Sequence, residues 1–317
     1  MTVVDRTDGF EHELRSTDAI IAELTPISTR LVERHLATTK EWFPHELVPW
    51  GQGRDFEAGW QWSEEDSGAP VPAAVRSALF VNLLTEDNLP YYSRDIDRLF
   101  GADGPWGEWV RRWTAEEGRH AIVIRDYLTV MRLIDPVQLE RGRMQQVSGG
   151  IVPTPPGQVD GLVYVALQEL ATRVSHLNTA KAMPDRAGYE VLKRVATDEN
   201  LHHLYYRDLV AEALRIDPSL VLEAIDRQVR SFQMPGIGIP GFAAHAKAIA
   251  AHGIYDLSIH YEQILAPVLL RHWAIDQLSG LDASGEQARD RVLEYLRRLE
   301  RLALRRAARA ADAAPST

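Results

Sequence analysis

Glu117-x-x-His120 and Glu199-x-x-His202 are two copies of one metal-site pattern. Each is preceded by a lone glutamate on an apolar stretch, Glu86 and Glu169, at distances of 31 and 30 residues. A Glu and a His three apart on a helix are separated by about 300° of rotation, so both project from one face. Two metal ions bridged by carboxylates need two helices of this kind and two more that each supply one inward glutamate. The repeat offers all six side chains.

Carboxylate oxygen and neutral imidazole together suit iron or manganese, and two such ions held close together can bind dioxygen between them. Glu169 follows Leu162, Val165 and Ala166 on an apolar stripe, where an unpaired carboxylate would be costly. Thr172 lies three residues past Glu169 and is placed beside the metals. Its hydroxyl either bonds back to a helical carbonyl or delivers protons to bound oxygen. Asp198 precedes Glu199 and is a candidate acceptor for the N–H of a ligating imidazole. His203 also shares a face with Glu199, but the three-residue step of the first motif favours His202. His203 is then expected either just behind the ligands or at the surface.

These residues need long helices to carry them, and helical spacing dominates the chain. Helices are expected over about 17–41, from Pro72 to about Arg98, from Pro105 onward, and over about 158–183, 186–215, 257–277 and 285–310. Asp135-Pro136 and Asp217-Pro218 are helix starts, an N-cap followed by proline at the first helical position. The breakers SGGIVPTPPG (148–157) and MPGIGIPG (234–241) do not divide the chain into domains, because the ligand set spans the first of them. The expected architecture is one all-α domain over residues 1–317. Its centre is a ferritin-like four-helix bundle with further helices around it, and residues 1–16 and 311–317 are expected to be disordered tails.

Composition narrows the function. Hydrophobic residues make up 45% and charged residues 25% of the 317, as in an ordinary globular protein with a sizeable core. The absence of cysteine excludes disulfides, thiolate catalysis and Cys-ligated clusters, and fits a cytoplasmic location. No apolar run is long enough to span a membrane. A net charge of −10 argues against general nucleic-acid binding. One basic segment stands out near the C-terminus, with Arg297, Arg298, Arg301, Arg305, Arg306 and Arg309. It reads either as a solvated helix face or as a docking site for an acidic partner.

The segments TEDNLPYY (85–92), WTAEEGRH (113–120), LQELATRVSHLNTA (167–180) and VATDENLHHLYY (195–206) resemble the soluble acyl-acyl carrier protein desaturases. EALRIDP (212–218), SFQMP (231–235) and QLSGLDASGEQARD (277–290) are similar to that family as well, and the likeness is to its bacterial, actinobacterial branch. The resemblance implies a ferritin-like fold and two iron ions per subunit, with manganese as the alternative. It places the ligands on Glu86, Glu117, His120, Glu169, Glu199 and His202, the same six that spacing selects. It also implies an active-site threonine at Thr172 and an electron route through Trp42, Asp198 and His120. A hydrophobic cap is the other reading of Trp42. The implied reaction is oxygen-dependent insertion of a cis double bond into an acyl chain held on acyl carrier protein. Electrons would come from ferredoxin or a similar donor, and the enzyme would be a homodimer. The loop at 51–70 and the region after Met234 depart from the family pattern, which leaves chain length and double-bond position open. The competing readings are a hydroxylase with the same cofactor and, from another class, a ferritin-like ferroxidase.

Overall fold

The computed structural model describes residues 7–67 and 70–312, and every regular element among them is helical. In chain order the α-helices are α1 (Thr7–Thr38), α2 (Pro44–Leu47), α3 (Ala73–Glu86), α4 (Leu89–Phe100), α5 (Gly104–Val130) and α6 (Pro136–Gly149). They continue as α7 (Gln158–Ala182), α8 (Arg186–Ile216), α9 (Pro218–Ser231), α10 (Phe242–Ala251), α11 (Leu257–Ile259) and α12 (Ala283–Asp312). A π-helical segment, His260–His272, extends α11 and contains Pro267. No helix among the described residues is long and apolar enough to cross a membrane.

The helix boundaries follow local chemistry. Asp135 and Asp217 cap α6 and α9 as expected, accepting from Val137 N (2.9 Å) and Leu220 N (3.0 Å). The single helix expected from Pro72 to Arg98 is instead two, α3 and α4, separated at Asp87–Asn88. Pro90 explains the break. It lacks an N–H, and its ring would collide with the carbonyl four residues earlier, that of Glu86. Glu86 is therefore the last residue of α3. α1 begins at Thr7, ahead of the expected residue 17, so only residues 1–6 and 313–317 of the expected tails lie outside the described residues.

α3, α5, α8 and α7 close a ring in which each helix packs on two neighbours, forming the central bundle. α1 covers α5 and α8, α10 covers α3, and α9, α12 and the π-helical segment build an outer layer beside α7. The core is two apolar clusters. One contains Trp109, Trp113, Leu162, Leu167, Tyr205 and Leu209. The other contains Leu79, Leu83, Val123, Tyr127, Leu192 and Val195. On α5 the first cluster stops at Trp113 and the second starts at Val123; on α8 the second stops at Val195 and the first resumes at Tyr205. The Glu-x-x-His motifs occupy the gap between them.

His203 is neither exposed nor turned to the motif glutamates. It is buried, and its Nδ1–H donates to the Ala166 carbonyl at 2.7 Å. Burial holds its pKa down to about 4, against 6.5 for an ordinary histidine. The unfolded chain therefore takes up a proton that the folded chain refuses as pH falls from about 6.5 toward about 4, and stability declines across that window. His203→Asn keeps a donor for Ala166 but cannot titrate. Urea unfolding at pH 7 and pH 5, with both proteins in the same metal state, should show the wild type losing about 2 kcal/mol more than the variant. Equal losses would show that His203 does not govern acid stability.

Candidate metal centre

The six side chains selected by spacing meet in the middle of the bundle. Glu86 comes from α3, Glu117 and His120 from α5, Glu169 from α7, and Glu199 and His202 from α8. All are buried. They form two groups able to hold an ion, Glu86–Glu117–His120–Glu199 and Glu117–Glu169–Glu199–His202, with ligand atoms in each group within 4.8 Å of one another. Glu117 and Glu199 belong to both. Each group thus has one imidazole and one carboxylate of its own and shares two carboxylates with the other.

Both imidazoles turn Nδ1 inward. His120 Nδ1 lies 3.3 Å from Glu199, 3.5 Å from Glu117 and 3.6 Å from Glu86. His202 Nδ1 lies 2.8 Å from Glu117 and 3.6 Å from Glu169. The inward atoms Glu117 Oε1, Glu169 Oε2, Glu199 Oε1, His120 Nδ1 and His202 Nδ1 are buried and have no hydrogen-bond partner in the protein. Orphaned polar atoms are expensive away from water, and here they converge on shared points. Burial, then the nearby Glu199 charge, pushes the Glu117 and Glu169 carboxyls above the ordinary range. Burial would lower the pKa of His120 and His202, but the carboxylates around them outweigh it and raise both well above 6.5. The cluster is short of positive charge. Two divalent ions would balance its four carboxylates and displace the protons from Nδ1, so the residues fit a two-metal centre.

The outer faces of the imidazoles show a second level of the repeat. His120 Nε2 faces Asp198 Oδ2 at 3.5 Å, and His202 Nε2–H donates to Glu116 Oε2 at 3.0 Å. The partners cross between helices: Asp198 of α8 meets the imidazole of α5, and Glu116 of α5 meets that of α8. Such carboxylates fix the tautomer of a ligating imidazole. Burial lifts both carboxyls, yet the neighbouring imidazoles more than offset it. Asp198 is held at about 2 and Glu116 well below the usual carboxylate range. Each also pairs with an arginine one turn earlier, Arg194 with Asp198 and Arg112 with Glu116.

Trp42, expected near this centre, is buried, and its indole N–H donates to Asp198 Oδ2 at 2.8 Å. Trp42, Asp198 and His120 therefore form one continuous line. The guanidinium groups of Arg119 and Arg194 lie over the Trp42 ring at 4.8 and 5.6 Å. On the other side His35 of α1 takes the matching place and donates to Glu116 at 2.9 Å. Thr172 Oγ1 lies 3.0 Å from Glu199 Oε2 and 3.0–3.1 Å from the carbonyls of Glu169 and Gln168, so it serves both a ligand and the helix backbone.

Several residues of this environment escaped sequence reasoning. Glu116 and Arg112 were legible, because Arg112-x-x-x-Glu116-Glu117-x-x-His120 repeats as Arg194-x-x-x-Asp198-Glu199-x-x-His202. His176, whose Nε2–H donates to Glu86 at 3.0 Å, and Trp113, whose N–H donates to Glu169 at 3.1 Å, carry no comparable spacing signal.

Two cavities meet at this centre, and Thr85, Glu86 and Thr172 line both. The larger is about 590 Å³ and mostly apolar, running past Val229, Phe232 and Ile249 toward Leu257 and Arg306. The smaller, about 50 Å³, lies among Tyr92, Leu99, Pro153 and Pro155 and also touches Glu117 and Glu199. An elongated apolar molecule could pass beside the carboxylates from one cavity into the other.

A buried cluster of carboxylates and imidazoles able to hold metal, within a four-helix bundle and flanked by a mostly apolar cavity, defines the class: a ferritin-like protein. The comparisons with known proteins are specific about which. The family model for fatty acid desaturases matches residues 16–317, and the chain belongs to that family. It is 39% identical over 291 residues to DesA1 of Mycobacterium tuberculosis H37Rv, provisionally named an acyl-[acyl-carrier-protein] desaturase, covering 89% of this chain and 85% of DesA1. It is 31% identical over 285 residues to the chloroplastic acyl-[acyl-carrier-protein] desaturase 6 of Oryza sativa subsp. japonica, covering 82% of this chain and 67% of the rice protein. The X-ray structure of M. tuberculosis H37Rv DesA2, titled with the same provisional activity, superposes with a TM-score of 0.69. It shares 28% identity and covers 85% of this chain and 99% of that one.

The shared and unshared glutamates should separate by metal analysis. After anaerobic iron loading, Glu117→Ala or Glu199→Ala should deplete both ions, because each residue belongs to both groups. Glu86→Ala or Glu169→Ala should spare one ion. Retention of two ions per chain in both Glu117→Ala and Glu199→Ala would sink the arrangement.

Proposed function

We propose that the protein is an oxygen-dependent acyl-[acyl carrier protein] desaturase that inserts a cis double bond into a carrier-bound fatty acyl chain. The observation that carries this reading is the junction of the two cavities at Thr85, Glu86 and Thr172, beside two ligand groups that share Glu117 and Glu199. Glu86, Glu117, His120, Glu169, Glu199 and His202 would hold two iron ions, with manganese as the alternative. When bound, that pair would supply activation of dioxygen and removal of hydrogen from unactivated methylene carbons.

The protein's own residues do the rest. The apolar lining of the larger cavity, including Val81, Val229, Phe232 and Ile249, excludes water and aligns the chain so that one pair of carbons lies against the carboxylates. The smaller cavity takes the far end of the chain. Thr172, hydrogen-bonded to Glu199 and lining both cavities, is placed to hold a proton where substrate and ligands meet. Trp42 and Asp198 link His120 toward the outer surface of the bundle and form the route for external electrons. Ferredoxin or a similar protein is the donor in this reading, and the working form is a cytoplasmic homodimer with one domain per subunit.

Mass spectrometry of acyl carrier protein carrying chains of several lengths tests the reaction. With iron, a ferredoxin system and oxygen, the product should be short of two hydrogens; gain of an oxygen atom would identify a hydroxylase instead. Thr172→Val preserves shape and removes the hydroxyl. It should retain iron and fold while slowing turnover by roughly tenfold or more, or uncoupling oxygen consumption from product, as expected for loss of a positioned proton donor. Wild-type rate and coupling would make the hydroxyl purely structural. Trp42→Phe keeps an aromatic ring but removes the donor to Asp198. It should slow steady-state turnover driven by ferredoxin while leaving iron content intact, and an unchanged rate would remove Trp42 from the route.

A further inference from the structure

The lining of the larger cavity changes within one turn of the α11 run. Leu257 is half exposed, whereas His260, three residues on, is only 6% exposed. His260 is the first residue of the π-helical segment, and its N–H donates to the Asp256 carbonyl at 2.8 Å. Turns of this kind are rare and gather at functional sites. The imidazole is held on two sides. Its Nδ1 lies 2.8 Å from the Tyr255 hydroxyl, and its ring packs on Phe232 with centroids 4.7 Å apart. Tyr255 and Phe232 line the same cavity.

The protons of this pair have one consistent arrangement. Burial raises the Tyr255 pKa and keeps the phenol protonated. His260 Nδ1 is the hydroxyl's one hydrogen-bond partner among the described residues, so the phenol donates and Nδ1 accepts. Burial holds the His260 pKa down to about 4, so the ring is neutral near pH 7 and its single proton is on Nε2. That N–H has no acceptor among the described residues. It is not sealed in the core either, because Nε2 keeps accessible surface on a side chain that lines the cavity. A fixed, neutral donor in an apolar wall is matched by a carbonyl oxygen.

A carrier-bound acyl chain offers one such oxygen, in its thioester, followed only by methylenes. The lining beyond His260 follows the same order, with Val229, Ile249 and Val81 leading toward Glu86. We propose that His260 Nε2–H holds the thioester carbonyl of the substrate and thereby sets which carbons lie against the carboxylates. The inference rests on the acyl-carrier reading above and adds the residue that fixes the chain from its thioester end. Tyr255 is a positioning residue here, acting through the tautomer of His260, and Phe232 fixes the plane of the ring.

Binding to the iron-loaded protein without oxygen is measured for two carriers, one bearing a palmitoyl thioester and the other a hexadecyl thioether. The two differ only in the carbonyl. The wild type should prefer the thioester by roughly three- to tenfold, the worth of one neutral hydrogen bond. His260→Phe keeps a ring against Phe232 and removes the donor. It should equalise the two by weakening the thioester alone. His260→Gln returns an N–H and should recover part of the preference. Tyr255→Phe should lower the preference and leave thioether binding unchanged. A merely structural pair predicts that each variant shifts both carriers alike. With oxygen and reductant supplied, His260→Phe should spread the double bond over neighbouring carbons where the wild type makes one product. Equal binding of both carriers by the wild type, or full preference in His260→Phe, overturns the carbonyl contact. A single unchanged product from His260→Phe overturns its role in placing the chain. If the wild type binds neither carrier, the acyl-carrier reading itself falls.

Discussion

Four carboxylates enclosed between two apolar clusters set the terms for the rest of the molecule. Burying a carboxylate without a compensating charge costs several kcal/mol, far more than any one helix contact returns. Imidazolium can neutralise part of the charge, and the raised affinity of His120 and His202 for protons expresses that demand. Yet two imidazoles cannot balance four carboxylates, whereas two divalent ions can. The cluster is thus a poor device for stabilising a fold and a good one for holding metal. The apolar clusters above and below keep α3, α5, α7 and α8 together despite it.

The outer carboxylates follow from the same demand. Glu116 and Asp198 add two more buried negative charges, and each is offset by an arginine one turn earlier. Arg119 lies between them, 3.6 Å from Asp198 and 3.9 Å from Glu116. The two arms match except at their ends, where one finishes on Trp42 and the other on His35. The symmetry of ligand placement is therefore broken one step further out, where the two helix faces meet different parts of the chain, α1 and the segment following it.

Much of this was legible in the sequence because the determinants are local and periodic. The ligand pairs at a three-residue step, the α7 and α8 boundaries and the Asp-Pro caps all depend on side chains within a turn or two of one another. What sequence concealed depends on chain crossings. His176 reaches Glu86 and Trp113 reaches Glu169 only because α7 packs on α3 and α5 lies near α7. His203 shares a helix face with Glu199 by rotation, but the neighbouring Ala166 carbonyl claims it. The split of α3 from α4 was written in Pro90, whose effect falls on the carbonyl of Glu86 four residues back. Glu116 was a missed inference of a different kind, since the repeat that identifies Glu117 extends one residue further.

The split at Glu86 also explains why the centre opens where it does. An uninterrupted helix from Pro72 onward would carry its side chains straight past Glu86. Ending α3 there turns the chain and leaves room where both cavities meet, beside Thr85, Glu86 and Thr172. On the far side, Arg112, Arg119 and Arg194 cluster behind the imidazoles. The centre consequently has an apolar approach along α3 and α7 and a charged, hydrogen-bonded approach along α5 and α8. Under the proposed function, an acyl chain would be desolvated on one side while electrons arrived from the other, so substrate and reductant would not compete for a path. In a bundle with only four walls, that division requires one helix to stop short, and Pro90 enforces it.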